Sequence, residues 1–304
     1  MTEVGLIAAR FGHYAALVLA FGAFAYASYG TQSVGVRRKV SRLGLVSSVL
    51  LLLAAGAVLV ATVAGLGGGF ATLSDPTLWS AVIWETDFGR VWSVRLVMAL
   101  ALVAAGVAIW RRPGQASECF GLLLAGGLVA TVALTGHAAA MEGASGFVHR
   151  AADAAHLVAA AVWLGALPPL LFLLGRDASG VSENFEFAAR RLQAFHLIGL
   201  ISVVVLVLSG LVNSWFLVGR PEHLLTTTYG RVLLAKLVLF VAMLGLAAGN
   251  KLKFVPAMTD NLARGYNPTK IASQLRLRIG AEVLLSTLVL LSAAILGAIE
   301  PAAA

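Results

Sequence analysis

The run RRKVSRLGLVSSVLLLLAAGAVLVATVAGL, Arg37 to Leu66, decides the fold. Four basic side chains crowd its first six residues, and the 24 residues from Leu43 onward carry no charge. A helix rises 1.5 Å per residue, so about 20 apolar residues cross a hydrocarbon layer of roughly 30 Å. Backbone N–H and C=O groups find no water there, which makes helix the natural state of such a run. Seven more apolar stretches flank it, giving spans near 6–29, 43–66, 91–110, 120–140, 151–174, 195–217, 231–249 and 279–299. The expectation is an all-α polytopic membrane protein, an eight-transmembrane-helix bundle forming a single transmembrane domain over residues 1–304.

Composition points the same way. The chain is 60% hydrophobic and 12% charged, with a mean hydropathy of +0.91. A soluble domain carries about 25% charged residues and cannot hide this much apolar surface in one core. The formal net charge of +8 raises nucleic acid as a partner, but the charges are not gathered into a binding patch. They alternate with the spans. Connections after the first, third, fifth and seventh spans hold fifteen basic and five acidic residues; the other side holds six basic and eight acidic ones. The positive-inside rule assigns the basic side to the cytoplasm and makes the chain N-out/C-out. Trp79, Trp84 and Trp92, in or beside the 67–90 connection, are expected to anchor at the interface.

Several classes lack support. Cys119 is the only cysteine, so neither an intramolecular disulfide nor a paired thiolate site is available. The first apolar stretch has no basic cluster before it and runs on past leader length, so no cleaved secretory leader is expected. No P-loop or serine-nucleophile arrangement is present, and the chain is not expected to be an enzyme.

Five of the six histidines fall toward the outer side of this arrangement: His13, His137, His149, His156 and His223. His196 lies at the other end. In HRAADAAH, His149, Asp153 and His156 follow at spacings of four and three, so one helical stripe carries them inward over about 10 Å. Imidazole donates a lone pair to copper, zinc, iron or nickel, and a carboxylate such as Asp153 orients the ring. GHAAAMEG places Met141 and Glu142 beside His137, and thioether sulfur favours copper, as Cu(I) over Cu(II). The candidate metal ligands are therefore His13, His137, His149, His156 and Met141. Asp153, Glu142, Asn213, Lys236 and Glu282 are candidate supporting or pathway groups, with His223 and His196 as lesser candidates. Histidines on separate spans also suit axial haem ligation, so a haem or quinone redox protein is the alternative cofactor reading.

The chain resembles the bacterial CopD copper-resistance membrane proteins along nearly its whole length. The resemblance is carried by TDFGRVWSVR (86–95), GHAAAMEGASGFVHRAADAAHLVAAAVWLGALPPL (136–170), YGRVLLAK (229–236) and LRLRIGAEVLL (275–285). It implies multi-pass insertion in the bacterial inner membrane, with metal-site residues near the periplasmic face and copper moving from periplasm toward cytoplasm. Copper sensing or storage without translocation is the other copper reading. Relatives accompany or are fused to a small periplasmic copper-binding β-domain; the short ends here lead to the expectation of a separate partner. Lipid is the remaining partner, with no nucleic acid.

Overall fold

The computed structural model describes residues 3–28, 34–137, 141–174 and 181–303. Its helices are, in chain order, α1 (Glu3–Ser28), α2 (Val34–Leu66), α3 (Pro76–Ser80), α4 (Asp87–Arg111), α5 (Gln115–Thr131), α6 (Gly143–Leu173), α7 (Val181–Val218), α8 (His223–Thr226), α9 (Thr228–Gly249), α10 (Val255–Ala263) and α11 (Thr269–Leu296). Among the described residues there is no strand, and eight helical spans are long and apolar enough to cross a membrane. A π-turn over Asn250–Phe254 joins α9 to α10 within the seventh span.

The helices outrun the apolar windows because hydrogen bonding does not stop where lipid does. α2 begins at Val34, nine residues before its window, and the Arg37–Arg42 cluster is therefore helical. There Arg37 Nη2 pairs with Glu118 Oε1 at 2.8 Å, joining α2 to the start of α5 at the basic end of the bundle. α7 and α11 likewise begin at Val181 and Thr269 rather than 195 and 279. The fourth span behaves in the opposite way. α5 gives way at Val132 to a 3-10 turn ending at Leu134, so His137 stands beyond the end of α5 and its turn, and 138–140 of the expected span lie outside the described residues. α6 starts at Gly143, eight residues earlier than its window, and runs unbroken through Pro168 and Pro169.

α1 is the central post, packed against α2, α5, α6 and α11. It crosses α6 where Gly22 meets Gly165; a Cβ on Gly22 would sit 1.9 Å from the Gly165 carbonyl oxygen. Small residues permit this backbone approach, which favours dispersion contact where lipid offers no hydrophobic drive. Apolar side chains also cover the perimeter, with Leu123, Trp215 and Leu277 each at least 74% exposed, as a lipid-facing surface requires.

The 67–90 connection folds into short helices. Asp75 caps α3 by accepting from the Thr77 amide, and the Thr77 hydroxyl and amide together hold its carboxyl below the usual range. Trp84 is exposed, and Trp79 Nε1 donates to Leu73 O at 2.9 Å. Trp92 departs from the expected interfacial role. Only 4% exposed, it donates Nε1–H to Ala55 O at 3.0 Å and wedges between α2 and α4. Its indole is consumed by packing because it faces the neighbouring helix, one turn below the start of α4.

Candidate functional site

Met141 and His149 meet at the start of α6. Gly143, at φ 68°, turns the chain, so Met141 folds back along the helix it precedes. Gly146 makes room: a Cβ there would stand 2.1 Å from Met141 O, the same oxygen that accepts from Arg150 Nη1 at 2.7 Å. These contacts bring Met141 Sδ to 3.3 Å from His149 Nδ1. Zinc-type bond lengths to nitrogen and sulfur at a tetrahedral angle separate the two donors by about 3.5 Å, so this spacing suits shared coordination of one ion. Phe216 of α7 stacks on the His149 ring at 4.8 Å and fixes its plane. His149 is buried, while Glu142 remains exposed beside it.

Deeper along α6 come Asp153 and His156, about 6 and 10 Å beyond His149 along the axis. Asn213 of α7 donates Nδ2–H to Asp153 Oδ1 at 3.3 Å. Lys236 of α9 stands within electrostatic range of both Asp153 and His156. His156 Nδ1 lies 3.1 Å from Ser209 Oγ, whose own proton goes to Val205 O at 2.5 Å. Ser209 therefore accepts from His156 Nδ1–H, leaving the Nε2 lone pair available as a metal donor.

His137 reaches the other side of this mouth. Its Nε2 is 3.2 Å from Leu296 O; a carbonyl only accepts, so Nδ1 keeps the lone pair. Tyr229 meets the ring edge-on, and both His149 and Asp153 lie within electrostatic range. Arg10 donates to Gly297 O nearby, tying α1 to the end of α11.

His13 occupies a different setting. It is 2% exposed, with neither ring nitrogen hydrogen-bonded, and lies 5.5 Å from the Trp92 ring. Arg95, 1% exposed, covers Trp92 at 4.2 Å and donates to Thr131 O at 2.6 Å and to Thr135 Oγ1 at 3.1 Å. The four histidines expected as ligands are thus distributed, and among the described residues no three His, Cys, Asp or Glu side chains form one metal-sized group. His223 Nδ1 bonds Val218 O at 2.9 Å at the start of α8, and His196 is half-buried near the basic end of α7. Glu282 is buried at that end too, hydrogen-bonded by Asn250, which in turn accepts from Arg278 Nε at 2.7 Å.

Sequence reasoning passed over Ser209, Phe216 and the burial of Arg95. Ser209 and Phe216 carry no pattern of their own and matter through what α6 presents to them. Arg95 had a signal: a guanidinium two turns inside a span needs internal acceptors.

Eight spans long and apolar enough to cross a membrane define a multi-pass membrane protein, with Met141 and His149 paired at one end of the bundle. The chain belongs to the copper resistance protein D family. Residues 1–147 match the family model of the copper resistance protein D-like N-terminal domain, and residues 189–296 match copper resistance protein D. It is 32% identical to copper resistance protein D of Pseudomonas syringae pv. tomato, over 97% of this chain and 96% of that protein. It is 31% identical to inner membrane protein YebZ of Escherichia coli, over 91% and 94% of the two chains. Copper transport protein CutJ of Bacillus subtilis is also 31% identical, over 62% of this chain and 34% of the longer relative. No solved structure matches significantly.

Proposed function

We propose that this protein takes up copper, as Cu(I) in preference to Cu(II), at the outer face of the bacterial inner membrane and passes it inward without catalysing a reaction. The observation that carries the reading is the 3.3 Å approach of Met141 Sδ to His149 Nδ1, a soft sulfur and nitrogen pair at one rim of the bundle. The positive-inside rule supports an N-out/C-out orientation, which turns that rim toward the periplasm. The names of relatives, copper resistance, inner membrane and copper transport, agree with it. A separate periplasmic copper-binding protein is the natural donor. Copper released to the Met141–His149 pair has further donors within the outer half at His137, Asp153 and His156. A site of few ligands collects the ion while still letting it leave, which transfer demands.

The test is copper flux into sealed proteoliposomes of known orientation, comparing the parent with Met141→Leu and His149→Ala. Copper-selective flux that falls in both variants supports transfer. Stoichiometric binding without flux in the parent replaces transfer by storage or sensing. A strong Soret band in the purified protein would replace copper by haem.

A further inference from the structure

Two stretches of this chain are written alike. TDFGRVWSVRLV (86–97) and TTYGRVLLAKLV (227–238) share Thr, Gly, Arg, Val, Leu and Val in register, with Phe88 answered by Tyr229 and Arg95 by Lys236. The likeness extends to individual atoms. Thr86 Oγ1 accepts from Gly89 N at 2.9 Å and donates to Val82 O at 2.6 Å; Thr227 Oγ1 accepts from Gly230 N at 3.0 Å and donates to His223 O at 2.7 Å. A Cβ on Gly89 would stand 2.0 Å from Val82 O, and one on Gly230 would stand 2.0 Å from His223 O. Helices α4 and α9 are therefore capped and seated by the same construction.

The other spans pair in the same order. His13 and Gly22 lie nine residues apart on α1, as His156 and Gly165 do on α6. Ser48 and Gly56 of α2 repeat as Ser202 and Gly210 of α7, each serine bonded to the carbonyl four residues back, at 2.7 and 2.9 Å. Packing of α1 on α11 is matched by packing of α6 on α5. At the centre Gly22 and Gly165, equivalent residues, touch each other, as a two-fold relation requires. Units of four spans share one orientation in the membrane, so the axis runs along the membrane normal.

The halves then diverge at matched positions. Arg10 corresponds to Asp153, Ala55 to Ser209, and Trp92 to Leu233. In the first half Trp92 bonds Ala55, α2 packs on α4, and His13 is buried against Trp92 with Arg95 in electrostatic range. In the second half a leucine replaces the wedge, and α9 has no comparable packing on α7. Asp153, His156 and Lys236 are each partly exposed there. Asn213 serves Asp153 and Ser209 serves His156, and an ammonium such as that of Lys236 at this depth requires water or a partner as well. Charge separates the halves as well: Arg95 repels an incoming cation beside His13 in the first, while Asp153 balances Lys236 in the second.

We infer that the chain is a tandem duplication of a four-span unit whose first copy is sealed by Trp92 and whose second copy keeps a water-filled cation cleft between α7 and α9, with Asp153 and His156 as the cargo-handling groups and His13 as a non-liganding twin. The cargo assignment rests on the proposed copper function; the contrast between sealed and open halves does not.

The experiment places single cysteines at equivalent positions in a Cys119→Ser background and labels reconstituted protein with a small water-soluble methanethiosulfonate reagent. His156→Cys and Ser209→Cys are expected to react at least tenfold faster than His13→Cys and Ala55→Cys. The Ala55 and Ser209 pair keeps the comparison valid should a histidine variant fold poorly. Equal or reversed rates overturn the inference. In a Cu(I) competition titration, His156→Ala is expected to lose at least tenfold in affinity while His13→Ala stays within twofold of the parent. Equal losses overturn the cargo assignment. A parent that binds no copper overturns the proposed function instead, and the labelling contrast still decides whether the halves differ.

Discussion

Met141 Sδ and His149 Nδ1 stand 3.3 Å apart, although eight residues of chain separate them. The approach depends on a turn at Gly143 and on the missing side chain of Gly146, so the donor pair is a product of backbone shape as much as of residue type. Met141→Leu keeps the volume and removes the sulfur. Cu(I) affinity is expected to fall by about 10- to 100-fold, on the scale seen when support around a metal is lost. Competition with a Cu(I) chelator measures it, and an unchanged constant would remove the thioether from the site.

Gly146→Ala tests the same geometry without touching a donor. Its new Cβ would meet Met141 O at 2.1 Å and push the loop off α6. Copper affinity is expected to fall at least as far as in Met141→Leu, with the helical circular-dichroism spectrum retained. Parent-like affinity would mean that the turn does not preposition the pair.

Gly22→Ala is expected to cost stability at the α1–α6 crossing, where the added methyl meets Gly165 O at 1.9 Å. Overpacking of this kind costs about 1–3 kcal/mol. Thermal unfolding in detergent gives the reading. Gly12→Ala, with nothing within 4 Å of the added carbon, is the control and should leave the midpoint unmoved or raised.

Arg37→Ala strips Glu118 of its ion-pair partner while that carboxylate stays 6% exposed. A buried charge left alone costs several kcal/mol, but Arg37 is 44% exposed and its contribution is screened, so a loss of about 1–2 kcal/mol is expected. The double variant Arg37→Ala, Glu118→Gln should recover part of it. Equal midpoints for single and double variants would show that the pair is not coupled.

The orientation rests on charge and is open to a direct check. Alkaline phosphatase fused after Ala304 is expected to be active in cells, and the same enzyme fused within the 111–114 connection is expected to be inactive. The reverse pattern would turn the whole bundle over.

Helix number and order were legible because an apolar window of membrane length has no other stable state. Helix ends were less so, since Arg37, Arg190 and Lys270 lie in turns that continue their helices past the apolar windows, where hydropathy no longer marks a helix. The candidate residues along α6 followed from a helical stripe, and the structure keeps Asp153 and His156 on one inner face with Asn213 and Ser209 opposite. His13 shared their depth but not their company. Depth follows from chain position; the azimuth of a side chain follows from which helices pack on which, and that information lies in distant glycines such as Gly22 and Gly165. Trp92 shows the same limit: its place near a span end suggested an anchor, whereas a neighbouring carbonyl on α2 claims it.

Arg10 fastens the opening helix to Gly297, beyond the end of the closing one, so the bundle is laced shut along the seam where its two extremities meet. The first turns of α1 and the end of α11 consequently lie side by side at the same rim. Any module grafted onto either end, by recombination or in the laboratory, would hang over the mouth formed by Met141 and His149. A tether at that seam is thus a short route for placing a metallochaperone over the donor pair.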